Sequence, residues 1–144
     1  MELPIQDKDY FDVIAEAGTE LVGACFNQAH AMGWHEDADR IEALPIDPAM
    51  KRKVLMWYQG TKLMLSVTEL AEAMEGLRKD MPDTHLPQYP MMAVELADCV
   101  IRCFDQAGHM GFNLGEIIAT KLLYNATRAD HQKAARNAEG GKAV

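Results

Sequence analysis

Apolar positions recur every three or four residues in four stretches of the chain, the spacing that lines one face of a helix. The first stretch runs from about Tyr10 to Met32 and includes Phe11, Ile14, Ala17, Leu21, Val22, Cys25 and Ala29, with Gly33 placed to stop it. A turn-rich connector is expected from Trp34 to Ile46. Asp47-Pro48 pairs an N-cap residue with proline at the first helical position. It opens a helical region that reaches about Lys79. Gly60 is a candidate interruption, so the functional helix is read as Gly60 to Lys79. Met81 to Pro90 holds Pro82, Pro87 and Pro90 and is expected to be a loop. The third helix spans about Met91 to Gly108. The fourth starts at Asn113, with Glu116 three residues later as in a capping box, and reaches about Arg128. No stretch alternates apolar and polar as a half-buried strand would. These elements predict an all-α domain over residues 1–128, an antiparallel four-helix bundle. The segment Ala129 to Val144, nearly free of large apolar residues, is expected to be a polar, mobile tail.

The third helix carries the informative polar pattern. At ~100° per residue, Glu95, Asp98, Arg102 and Asp105 fall in one stripe about 80° wide. The rest of the helix is apolar, so it is expected to be buried on most sides. Carboxylates crowded in a low-dielectric setting repel one another and lose hydration, so they call for cations. Arg102 offers one; a metal ion would offer another. On the second helix Glu69, Glu72 and Glu75 follow at three-residue spacing. They read either as a solvated face paired with Arg78 and Lys79, or as oxygen ligands facing Glu95 and Asp98. Four such oxygens from two antiparallel helices would suit Mg²⁺, with Mn²⁺ able to substitute. None of the five histidines follows a Glu by three residues, which excludes a di-iron bundle. No histidine pair has zinc-ligand spacing on one helix, and each histidine is expected at the surface or in a connector. Lys121, Asn125 and Arg128 share a face of the fourth helix, where two cations around an amide would suit phosphate oxygens or simply face solvent. No GxxxxGK[ST] loop is present, so a P-loop nucleotidase is excluded.

Composition sharpens this picture. Lys and Arg total 14 against 22 Asp and Glu, a net charge of −8. That balance argues against a nucleic-acid binder and against a ligand of anionic membranes. No apolar run approaches ~18 residues, and no export signal opens the chain, so a cytoplasmic location is expected. Three cysteines, Cys25, Cys99 and Cys103, without a CxxC pair, are expected as small core residues.

Glu69-x-x-Glu72, then 22 residues, then Glu95-x-x-Asp98, resembles the ExxE…ExxD signature of the MazG-like nucleotide pyrophosphohydrolases. Lys121-x-x-x-Asn125-x-x-Arg128 is similar to a later K-xxx-N-xx-[KR] element of that family. The likeness covers roughly Gly60 to Arg128 and is to the short, single-domain branch met in phages and bacteria, which would place a phage-encoded chain in the host cytoplasm. It implies a helical dimer or tetramer that hydrolyses (deoxy)nucleoside triphosphates to the monophosphate and pyrophosphate. By this resemblance Glu69, Glu72, Glu95 and Asp98 would ligate Mg²⁺, and Lys121, Asn125 and Arg128 would hold phosphates. Glu72 or Glu75 would act as general base, and Trp34 would stack on the base, with Trp57 and Tyr58 as further aromatic candidates. Lys133, Arg136 and Lys142 would close over phosphates. Ser66 stands where many relatives carry a further acidic residue. Two alternatives remain open: a dUTPase-like or phosphoribosyl-ATP pyrophosphohydrolase-like specialist of the same fold, and a non-catalytic helical module whose acidic stripe serves only salt bridges.

Overall fold

In the computed structural model, which describes residues 8–128, five helices and no strands are present among the described residues. They are α1 (Lys8–Ala31), α2 (Glu36–Ala43), α3 (Pro48–Lys79), α4 (Met91–His109) and α5 (Leu114–Thr127). The expected tail, with Lys133, Arg136 and Lys142, lies outside the described residues. No helix among the described residues is long and apolar enough to cross a membrane.

Local chemistry explains most of the boundaries. Gly33 has φ of 80°, a left-handed conformation that closes the turn after α1. The Asp47 carboxylate accepts from the Ala49 and Met50 amides, and Pro48 occupies the position whose missing N–H costs nothing. Helix α3 then runs unbroken through Gly60. At its end Asp80 turns left-handed, and the Met81 amide donates to the Gly76 carbonyl. Asn113 Oδ1 accepts from the Glu116 amide at 3.2 Å, the expected cap of α5.

One element was not expected. The connector contains α2, whose sequence EDADRIEA has no apolar periodicity. Its acidic first turn suits the positive end of a helix, and Arg40 bridges to Glu36 and Asp37 one turn back, each at 2.8 Å.

The chain divides into two compact units, residues 22–112 and residues 1–21 with 113–144. The larger unit is built on an α3–α4 hairpin. Its antiparallel register is given by pairs that lengthen in sequence away from the loop: Gly76 against Met91, Glu69 with Arg102, and Gln59 with Gln106. The loop closes through a Pro82–Pro90 bridge and the Met91 amide donating to the Met81 carbonyl at 3.0 Å. Asp83, buried there, accepts from the His85 and Leu86 amides, which hold its carboxyl below the usual range.

In the smaller unit the N-terminal part of α1 crosses α5 at two glycines. A Cβ on Gly18 would lie 2.6 Å from Gly115 Cα, so the backbones approach too closely for any side chain. Gly115→Ala is expected to lower stability by about 1–3 kcal/mol through overpacking. Gly60→Ala, where nothing lies within 4 Å, is expected to raise it by about 0.5–1 kcal/mol. Thermal or urea unfolding of the two variants beside the parent chain checks both signs.

Candidate metal centre

The surface of α3 that meets α4 is small and polar: Ser66, Glu69, Ala73 and Gly76 are its buried residues. A Cβ on Gly76 would come within 2.9 Å of the Met92 amide nitrogen, so the helices meet backbone to backbone near the loop. From α4 the expected stripe turns into this seam. Glu95 is 9% exposed and Glu69 6%, whereas Leu96, Val100 and Ile101 are exposed. Helix α4 is therefore not buried on most sides, as its sequence suggested: Phe104 and Ala107 are buried, but part of its apolar surface is open, and Glu95 of the polar stripe is covered where it meets the small, polar surface of α3.

Glu69, Glu95 and Asp98 each offer an oxygen, and the three oxygens lie within 4.8 Å of one another. Arg102 Nε donates to Glu69 Oε1 at 2.6 Å and balances one charge. Glu95 has no such partner. Desolvation, a shared hydrogen bond with Glu69 and the nearby charges of Glu72, Glu69 and Asp98 push its pKa from 4.5 up to about 6. Three hard oxygens around an under-neutralised carboxyl fit Mg²⁺ or Mn²⁺ in donor type and charge.

The other expected residues are placed as follows. Glu72 is exposed, outside the trio, but close enough to raise Glu95. Glu75 is drawn off by Lys79 and by Arg78, whose Nε lies 2.9 Å from Glu75 Oε2. These hydrogen bonds lower its pKa. Trp34 is 66% exposed and borders a cavity of about 650 Å³ together with Tyr58, Lys62, Asp98, Arg102 and Asp105. Lys62, not singled out from the sequence, donates to the Trp34 carbonyl at 3.0 Å and lies over the Trp34 and Tyr58 rings. Its position one helical repeat, seven residues, before Glu69 was the available signal. Trp57 is exposed.

Lys121, Asn125 and Arg128 belong to the smaller unit. Lys121 Nζ and the Arg128 guanidinium both lie over the Tyr124 ring, at 4.8 and 5.7 Å. The buried Asn125 Oδ1 has no hydrogen-bond partner among the described residues. Lys121 and Tyr124 border a cavity of about 540 Å³ with Glu116 and Thr120. Cys25 and Cys99 are half-buried and Cys103 is exposed, so the cysteines do not form core as expected.

No family model, curated protein or solved structure matches the chain.

The raised Glu95 carboxyl has a consequence for stability. Folded protein holds this proton to higher pH than unfolded chain, so between pH 4.5 and about 6 the native state binds more protons. Stability therefore falls as pH rises through that window, by about 2 kcal/mol in full. Glu95→Gln, measured without divalent ions, is expected to be more stable than the parent at pH 7.5 and to lose this pH slope. Urea unfolding across pH 4–8 reads both. A variant less stable than the parent at pH 7.5 would show that Glu95 is not held at a cost.

Proposed function

We propose that the chain is a metal-dependent nucleoside triphosphate pyrophosphohydrolase of the MazG-like type, releasing monophosphate and pyrophosphate. The convergence of Glu69, Glu95 and Asp98 oxygens in a buried seam is the observation that carries this reading. It brings together three of the four residues of the ExxE…ExxD pattern, Glu72 standing outside. A bound Mg²⁺ ion would supply Lewis-acid stabilisation of phosphoryl charge and a more acidic water. Glu69, Glu95 and Asp98 would hold it, with Arg102 orienting Glu69.

The remaining roles follow from charge and position. Glu75 is engaged by two cations and is the weaker base. Glu72, exposed beside the trio, is the better candidate to accept a proton from the attacking water. The nucleoside would lie in the cavity beside Asp98, with Trp34 or Tyr58 against the base and Lys62 toward the phosphates. Lys121, Asn125 and Arg128 enter as phosphate contacts on the strength of the resemblance alone.

We further propose that the helices complete an antiparallel bundle only by self-association, as a dimer or a tetramer. Helix α3 carries Met56, Leu63, Leu70 and Leu77 at seven-residue intervals, with Val67 and Met74 between them. Each of these is 47–64% exposed. A four–three apolar repeat is the seam of a coiled coil, and this one is left exposed by the described residues. Leu63→Asp with Leu70→Asp is expected to shift sedimentation from oligomer to monomer; an unchanged mass would remove α3 from the interface.

The activity is tested with a panel of nucleoside and deoxynucleoside triphosphates, products resolved by chromatography. Turnover is expected to need Mg²⁺ and to vanish with EDTA. Glu95→Gln and Asp98→Asn are expected to lower kcat on the order of 10²-fold or more while far-ultraviolet dichroism stays unchanged. Turnover confined to dUTP or to a phosphoribosylated nucleotide would identify a specialist. No turnover and no Mg²⁺ or Mn²⁺ binding by calorimetry would leave the acidic seam as a salt-bridging device, the role that the Glu69–Arg102 pair alone supports.

A further inference from the structure

His35 lies in the expected connector, yet it is 3% exposed. It sits at the N-cap of α2 without capping it. Its Nε2 lies 2.7 Å from Asp105 Oδ1 on α4. In the neutral ring a carboxylate there favours the tautomer with the proton on Nε2, which makes Nδ1, on the side of the ring away from Asp105, an acceptor. That Nδ1 is buried and has no hydrogen-bond partner. Burying such an acceptor unsatisfied costs free energy, so something is expected to use it.

The ring is held rather than loosely buried. His109 stacks on it nearly flat, with centroids 4.6 Å apart and planes 6° from parallel, and Phe26 packs at 5.2 Å. An imidazole donating one N–H to a carboxylate, clamped in orientation, with its other nitrogen bare, is how metal-binding histidines are supported from behind.

A cavity of about 340 Å³ at the turn supplies further ligands. It is bordered by His30, His35, Glu36 and Asp39. Glu36 is committed to Arg40 at 2.8 Å. Asp39 follows His35 by one helical turn, its amide donating to the His35 carbonyl at 3.2 Å, so the two share a face. His30 is exposed, with its ring centre 6.2 Å from that of His35. Two imidazoles bound ~2.0–2.1 Å from one zinc ion have ring centres about 5–6 Å apart, close to this separation, and His30 would have to turn a ring nitrogen toward Nδ1 to share an ion.

We propose that the α1–α2 turn is a second metal site, for a zinc-class transition ion, with His35 Nδ1, His30 and Asp39 as its protein ligands. It differs in kind from the acidic seam. Two imidazoles and one carboxylate select zinc, cobalt or nickel, whereas three carboxylates select magnesium or manganese. The fourth position, left to water, keeps the site open to an exchangeable ligand.

The test uses the whole chain with Mg²⁺ in large excess, so that the acidic trio does not report. Co²⁺ is titrated in as the probe, followed by its visible absorption, and displaced with Zn²⁺. One equivalent with the intense bands of four-coordinate cobalt is expected. His35→Ala would strip Asp105 of its partner and risk unfolding, so the exposed ligands carry the test. His30→Gln and Asp39→Asn are each expected to weaken Co²⁺ binding about tenfold or more with unchanged dichroism. Glu95→Gln is expected to leave it intact. Absence of the bands in the parent chain would overturn the site and assign Nδ1 to a buried water. Binding unchanged in both ligand variants, or lost in Glu95→Gln, would equally overturn it.

Discussion

The close approach of α3 and α4 along a polar seam is the constraint from which the larger unit follows. Ser66, Ala73 and Gly76 keep that face of α3 low, and α4 comes down onto it until Gly76 has no room for a side chain. The carboxylates of Glu69, Glu95 and Asp98 are then forced together in a place where water screens them poorly. One charge is met by Arg102. The rest is absorbed by Glu95, which keeps its proton to about pH 6. A seam of this kind gains little from its own charges, since buried ion pairs rarely repay their desolvation. Its persistence makes better sense if a cation completes it.

The same packing explains why so much apolar surface faces outward. In an ordinary hairpin the apolar faces would meet and the acids would sit in water. Here Glu95 of the polar stripe is inside, beside Phe104 and Ala107, while Leu96, Val100 and Ile101 are outside with the apolar repeat of α3. One chain does not satisfy this arrangement. Under the proposed function both deficits have complements of opposite kinds, a divalent ion for the seam and a second subunit for the repeat.

What was legible in the sequence was local or periodic. The Asp47-Pro48 start, the Gly33 stop, the Asn113–Glu116 box and the proline loop act over a few residues, and each bounds a helix near the expected place. Glu69, Glu95 and Asp98 were legible because three-residue spacing puts side chains on one face whatever the tertiary context. Helix α2 was not, since it is held by charge pairs and not by an apolar stripe. Nor was the orientation of α4. A wheel shows that one face is polar and the other apolar, but which face is covered depends on the surface it meets. His35 was hidden for the same reason, its partner Asp105 lying 70 residues away in sequence. The differing fates of Glu72 and Glu75 came from Arg78 and Lys79, which the spacing permits but does not require.

Glu95 and His35 are physically alike despite their distance in sequence. Each is buried and held by a neighbour; Glu95 carries a carboxyl that keeps its proton beside other acids, and His35 a ring nitrogen without a hydrogen-bond partner among the described residues. Most substitutions would relieve such a cost, so residues of this kind mark places where local stability and a bound partner pull in opposite directions. The carboxyl stores its deficit as a retained proton, which a divalent ion would displace. The imidazole stores its deficit as a buried ring nitrogen, Nδ1, without a hydrogen-bond partner among the described residues. A hard, oxygen-seeking ion relieves the first and not the second; a borderline, nitrogen-seeking ion relieves the second. Asp105 also borders the cavity beside Asp98, so the support of His35 and the wall of the proposed nucleotide site share one residue of α4. A change in the charge at His35 would therefore be felt on that wall through a direct hydrogen bond, with no longer relay needed.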